Sequence, residues 1–149
     1  MATAKTGTGI SAKRTKTAAL PQSKAKTAYE LLNEVKRVIL ADPKRYDQGV
    51  FIARKSSDAL NVESYPACGT VACVAGWACI LKDRGQAGTT IDMAAWLLGL
   101  NNKQADALFS VTAFNTTALP QTRAYARAGA QHITRFQQRY KKALKAHGV

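Results

Sequence analysis

Apolar side chains recur every three to four residues between positions 28 and 39, and this period constrains the fold more than any other feature of the chain. Signals for helix ends flank the period. Thr27 followed by Glu30 matches a capping box, and Asp42 stands before Pro43, where helical backbone is disfavoured. The segment therefore predicts an amphipathic helix that buries one face against other elements.

Two further helices are predicted on either side of a glycine. Thr89 with Asp92 repeats the capping-box pattern, and Gly99 suits the position that follows a helix end. A second helix is predicted from Asn101 to about Phe109. The two helices would form a helix–turn–helix-like corner with the glycine in the turn.

A short strand pair and a long last helix complete the predicted elements. Val50–Ile52 is β-prone and follows a glycine, and residues 60–62 form a second candidate strand, so a short β-hairpin is predicted near residues 49–62. Pro120 suits a first helical turn, and the apolar stripe behind it predicts a long basic helix over about 120–146. The predicted fold class is mainly α, a compact bundle of about five helices.

The segment CGTVACVAGWACIL, residues 68–81, holds all three cysteines and is predicted as a helix that begins at Thr70. Small residues at three and four spacings favour a tightly packed core helix. A second hypothesis uses the helix start: Cys68, Gly69 and Thr70 would present a thiol and free amides at the positive end of the helix dipole, as an anion or thiol site. The cysteine spacing matches no zinc motif, and no metal ligand, cofactor or catalytic residue is predicted.

The net charge of +13 is concentrated at the two ends of the chain. Residues 1–26 hold six basic and no acidic side chains, residues 107–149 hold seven and none, and residues 27–106 hold nine of each. This asymmetry favours an anionic partner. No apolar run approaches the roughly 20 residues of a membrane helix. No secretion signal accompanies the three cysteines, so a cytoplasmic protein with reduced thiols is expected.

The basic ends supply the candidate binding residues. Residues 1–26 have few aromatics and no apolar period, so they predict a disordered basic tail before a single helical domain, residues 27–149. On the last helix, several arginines lie four residues apart and could form a basic face. The candidate nucleic-acid contacts are Lys13, Arg14, Lys16, Lys24, Lys26, Arg123, Arg127, Arg135, Arg139 and Lys142.

Three segments, RYDQG, ACGTVACVAGWA and AAWLLGLNNKQADALF, carry a resemblance to an uncharacterised family of small bacterial and phage proteins. Members of that family carry (R/F)-(F/Y)-D-M-G, P-C-G-T-x-A-C-x-A-G-(W/H)-A and A-x-x-L-L-G-L-(T/S)-x-x-Q-A-x-x-L-F in the same order. The chain is similar over roughly Lys44 to Phe109, with Gln48 in place of methionine and Asn101 in place of threonine or serine. The resemblance implies a compact body and no substrate, cofactor or catalytic residue.

Three functions follow from these patterns. The first is a small protein that binds DNA or RNA phosphates through the tail and the last helix, without sequence specificity. The second is a protein-interaction module, for which the resemblance allows a phage origin, that binds an acidic protein. The third is a thiol or small-ligand site at residues 68–70. Because no paired carboxylates or nucleophile with a nearby base occur in the sequence, the patterns favour a binding protein over an enzyme.

Overall fold

The computed structural model of the chain describes residues 22–53, 70–82 and 90–149. Within these ranges the chain forms six α-helices, a 3₁₀ turn at Pro43–Arg45 and a short β-ladder, which confirms the mainly α prediction. The helices are α1 (Ala28–Ala41), α2 (Val74–Leu81), α3 (Ile91–Leu98), α4 (Asn102–Phe109), α5 (Arg123–Arg139) and α6 (Lys141–Ala146).

The first helix, α1, forms as its sequence predicts. Thr27 Oγ1 accepts a hydrogen bond from the Glu30 N–H, and Glu30 Oε2 accepts one from the Thr27 N–H, so the capping box is confirmed. The helix ends at Ala41, two residues before Pro43. It packs against α5, α2 and α6, which places it at the centre of the bundle. Its buried face consists of Ala28, Leu31, Leu32, Val35 and Ile39.

The β-structure is an antiparallel ladder between β1 (Ile52–Ala53) and β2 (Val71–Ala72). The Cys73 N–H extends the pairing with a 2.7 Å hydrogen bond to the Val50 carbonyl. The partner of β1 is therefore β2, which lies outside the hairpin predicted for residues 49–62. The sequence could not predict this pairing, because pairing between distant segments leaves no local signal. The second strand predicted at residues 60–62 lies outside the described residues.

The α2 helix is the core helix of the bundle, and all eight of its residues are buried. The helix begins at Val74, whereas the sequence predicted a start at Thr70. Two features delay the start: β2 is extended because it pairs with β1, and Cys73 has extended backbone as the N-cap residue. The Cys73 Sγ accepts a hydrogen bond from the Gly76 N–H at 3.5 Å. The interpretation as a packed core helix fits this burial, but its predicted N-terminus was wrong.

The predicted corner between α3 and α4 is confirmed. Gly99 has a φ of 66° and closes α3 in the left-handed conformation that glycine adopts at little cost. Asn101 and Gln104 form a reciprocal capping box at the start of α4. The N-cap of α3 is Thr90, whose hydroxyl accepts from the Met93 N–H, rather than the predicted Thr89.

The long helix predicted over residues 120–146 is two helices. Gln121 has a φ of 62°, which keeps the residues before Thr122 out of helical geometry, and Thr122 caps α5. At Tyr140 the backbone departs from helical values, with φ −115° and ψ 23°, and α6 starts at the next residue. The basic residues of the C-terminal region are therefore divided between two helices.

Residues 22–26, which the sequence assigned to the tail, pack against the helical body. Ala25 is buried, and the Ser23 N–H donates a 3.0 Å hydrogen bond to the Leu81 carbonyl. The Val149 N–H donates to the Lys26 carbonyl at 3.1 Å, so the two ends of the described chain meet.

Candidate nucleic-acid interface

A ridge of basic side chains runs along the solvent face of α5 and onto α6. Its members on α5 follow a spacing of four residues, which places them in one row on the helix surface. At 1.5 Å per residue the row is roughly 24 Å long. No acidic residue occurs after position 106, so no acid within α5 or α6 neutralises the row. This basic ridge consists of the exposed side chains of Arg123, Arg127, Gln131, Arg135, Arg139 and Lys142.

A groove of about 670 Å³ lies beside the basic ridge, between α1 and α5. Lys36 and Arg37 line it from α1, and Arg135 lines it from α5. We refer to it as the α1–α5 groove. None of the described residues that line it is acidic, so the described lining carries a net positive charge. The remaining lining residues are Asn33, Leu40, Ala130, Gln131 and Thr134.

The three cations of the α1–α5 groove differ in exposure. Arg37 and Arg135 are exposed, whereas Lys36 is partly buried. The Lys36 ammonium donates a hydrogen bond to Thr134 Oγ1 at 3.3 Å, which ties α1 to α5. Burial lowers the pKa of Lys36 from its ordinary value. The groove therefore combines one fixed, partly desolvated ammonium with two solvated guanidinium groups.

Arg37 connects the α1–α5 groove to the N-terminal segment. It also lines a neighbouring depression of about 560 Å³, together with Lys24 and the acidic Glu34. Lys24 and Lys26 are exposed. The two depressions therefore share Arg37, and each also has a basic residue from one end of the described chain. The other predicted tail contacts, Lys13, Arg14 and Lys16, lie outside the described residues.

A polar pocket of about 390 Å³ adjoins the groove, between α5 and residues 113–117. Gln131 and Arg135 line both the pocket and the groove. His132 Nε2 lies 3.2 Å from the Leu108 carbonyl, which can only accept, so this nitrogen carries a proton. The imidazole packs edge-on against Phe114, and burial lowers the pKa of His132, which favours the neutral ring. Asn115, Thr116 and Thr117 complete the polar lining.

The predicted anion or thiol site loses its main support, because the helix start that it needs lies elsewhere. Thr70 precedes β2 rather than α2, and Cys68 and Gly69 lie outside the described residues. At the true start of α2, the Val74 N–H already donates to Gln48 Oε1 at 3.2 Å. The amides that would bind an anion there are used within the protein.

The two described cysteines have the environment of structural thiols. Cys73 and Cys79 are both buried. Burial raises the pKa of the Cys73 thiol, and hydrogen bonds from backbone amides oppose this only in part. Among the described residues, no group of three or more histidine, cysteine, aspartate or glutamate side chains is arranged to hold a metal ion. Asp47 Oδ1 accepts from the Gly49 N–H at 2.9 Å, which is a turn cap rather than a ligand geometry.

Lys36 and Arg37 are not among the binding residues predicted from the sequence. Residues 27–106 balance nine basic against nine acidic side chains, so this region gave no reason to single out two of its cations. Charged residues next to the polar face of an amphipathic helix commonly do no more than contact water, so the position of these two cations did not indicate a binding role. Only the packing of α1 against α5 places them beside Arg135.

No protein-family model, curated protein or solved structure matches the chain. The resemblance of residues 44–109 to the small bacterial and phage proteins therefore stays a prediction. In the part of the chain that the structure describes, each helix is too short or too polar to cross a membrane.

Proposed function

We propose that this chain is a small nucleic-acid-binding protein that contacts the phosphate backbone of DNA or RNA without reading the base sequence. The observation that carries the proposal is the position of Arg37. It lines the α1–α5 groove together with Arg135 and the neighbouring depression together with Lys24. Basic residues from both ends of the chain thus contribute to one surface, which suits an extended polyanion.

The charge distribution supports binding to phosphates in particular. A protein that neutralises phosphates releases condensed counterions, and this release supplies most of the free energy of non-specific binding. The basic ridge presents arginines at regular intervals, and arginine matches the oxygen geometry of phosphate in a bidentate manner. The tail residues Lys13, Arg14 and Lys16 would add contacts to the same strand.

The double substitution of Arg135→Ala and Arg139→Ala tests this proposal. Both side chains are exposed on α5, so the fold is expected to persist. We expect a loss of affinity of similar size for several unrelated oligonucleotide sequences, because phosphate contacts carry no sequence information. Binding is measured by fluorescence anisotropy with labelled duplex DNA, single-stranded DNA and RNA.

The matched control removes two charges from a different part of the surface. Lys44 and Lys103 are exposed and line neither the α1–α5 groove nor the polar pocket. Their double substitution by alanine is expected to weaken binding much less than the arginine pair. Equal affinities for the wild type, the double arginine variant and the double lysine variant would overturn the proposal. Co-purification of a defined acidic protein that survives nuclease treatment would instead favour the interaction-module hypothesis.

A further inference from the structure

Lys36 is held in place by a neutral partner. Its ammonium group donates to Thr134 Oγ1 at 3.3 Å, and the Thr134 hydroxyl in turn donates to the Ala130 carbonyl at 2.9 Å. The hydroxyl proton is therefore used in a hydrogen bond within α5, and the hydroxyl oxygen accepts the hydrogen bond from Lys36. An ammonium group has three N–H donors, so this geometry fixes the cation while two donors remain for solvent or a ligand.

The surroundings of Lys36 favour an anion in the groove. Burial disfavours a charged ammonium unless an opposite charge compensates it, and the described residues of the groove lining include no carboxylate. The lowered pKa of Lys36 has the same physical cause. An anion bound within the groove would offset this desolvation and would also meet the guanidinium groups of Arg37 and Arg135.

We propose that the α1–α5 groove binds one phosphodiester group of the nucleic-acid backbone, with Lys36, Arg37 and Arg135 as its binding residues. This inference rests on the proposed function and adds the site at which the strand is anchored. A phosphodiester has two non-bridging oxygens, which can accept from an ammonium and a guanidinium at once. The strand can continue from the groove along the basic ridge, where Arg139 lies one turn after Arg135, and Arg127 lies two turns before it.

The first test compares two single substitutions in the full-length protein, each of which removes one lysine charge. Lys36→Gln removes the ammonium from the groove, and Lys103→Gln removes an exposed ammonium from α4. With a labelled single-stranded oligonucleotide at low salt, we expect Lys36→Gln to weaken binding about tenfold or more, as for a lost charged hydrogen bond. Lys103→Gln is expected to weaken it by less than about threefold.

The fold of the Lys36→Gln variant is checked by thermal unfolding. Because the substitution removes a partly desolvated charge, the midpoint is expected to be no lower than that of the wild type. A second measurement avoids mutation: the pKa of the Lys36 ammonium is followed by NMR in inorganic phosphate and in chloride at equal ionic strength. Phosphate in the groove favours the charged form, so the pKa is expected to rise in phosphate.

The outcomes separate the two proposals. Equal losses for the two lysine variants, or an unchanged Lys36 pKa in phosphate, would overturn the groove site while the wild-type affinity still supports nucleic-acid binding. No binding of any oligonucleotide by the wild type would overturn the proposed function itself. Preferential binding to vesicles that contain phosphatidate would assign the same phosphate chemistry to lipid and would also overturn the groove proposal.

Discussion

Gly129 of α5 lies directly against the ring of Tyr46, and a Cβ atom at position 129 would stand 2.5 Å from Tyr46 Cε1 and 2.6 Å from the hydroxyl. Tyr46 is fully buried and follows the 3₁₀ turn that α1 leads into. Its hydroxyl donates to Gln48 Oε1 at 3.1 Å, so the ring has little freedom to move. This contact sets how closely α5 approaches the body, and with it the position of the basic ridge.

Gly129→Ala is expected to destabilise the protein although alanine is the better helix former. The helix preference of alanine over glycine contributes about 1 kcal/mol, whereas an overpacked core position costs about 1–3 kcal/mol or more. We expect a net loss of about 1–2 kcal/mol in the free energy of unfolding, measured by urea denaturation. Gly148→Ala is the control, because a Cβ there lies 3.8 Å from the Lys26 carbonyl oxygen. A Gly129→Ala variant as stable as the wild type would contradict the tight contact.

Gln48 joins three elements through its buried amide. Its Oε1 accepts from the Tyr46 hydroxyl and the Val74 N–H, and its Nε2 donates to the Leu108 and Phe109 carbonyls at 3.3 and 2.9 Å. The side chain therefore ties the segment after α1 to the start of α2 and the end of α4.

Gln48→Met is expected to lower the free energy of unfolding by about 2–4 kcal/mol, because buried donors and acceptors would lose their partners. This expectation differs from the simple reading of the family resemblance, in which methionine is the usual residue at this position. Gln138→Met, at an exposed position of α5, is the control and is expected to change stability by less than about 0.5 kcal/mol. A tolerated Gln48→Met substitution would show that the network contributes little.

The described thiols are expected to be unreactive in the native protein. Burial raises the pKa of Cys73, so little thiolate forms at neutral pH, and Cys79 is also buried. Treatment with iodoacetamide at pH 7.5, followed by peptide mass spectrometry, should modify both only after denaturation. Native modification of Cys73 at the rate of the unfolded chain would contradict its described environment. Selective native modification of Cys68 would support the thiol hypothesis.

Stability is expected to fall as the pH falls below the ordinary pKa of histidine. Burial lowers the pKa of His132 in the folded state, so the unfolded chain binds a proton at higher pH than the folded one. The stabilisation from the neutral ring is therefore complete above about pH 6.5 and is lost as the pH falls through the folded-state pKa. His132→Gln keeps a donor for the Leu108 carbonyl but does not titrate. Urea denaturation between pH 7 and pH 5 should give a shallower pH dependence for this variant, and identical profiles would contradict the assignment.

Local signals in the sequence predicted the ends of several helices correctly. The Thr27–Glu30 capping box and the glycine after α3 depend on neighbouring residues only, and both are confirmed. Predictions that depended on distant partners were less successful. The start of α2 moved to Val74 because β2 pairs with β1.

The residues of the candidate site also fall into those that the sequence could predict and those that it could not. The exposed arginines of α5 could be predicted because an acid-free row at a spacing of four residues is visible in the sequence. The contribution of Lys36 and Arg37 could not, because it depends on the contact between α1 and α5. A groove formed by two helices that are distant in sequence has no local pattern.

The salt dependence of binding by the full-length protein tests the central claim most directly. The affinity for a labelled DNA duplex is measured by fluorescence anisotropy at several salt concentrations. If the groove and the basic ridge together contact about four to six phosphates, the slope of log K against log salt should be about −3.6 to −5.4. A slope near zero, or no binding at low salt despite a net charge of +13, would contradict the account.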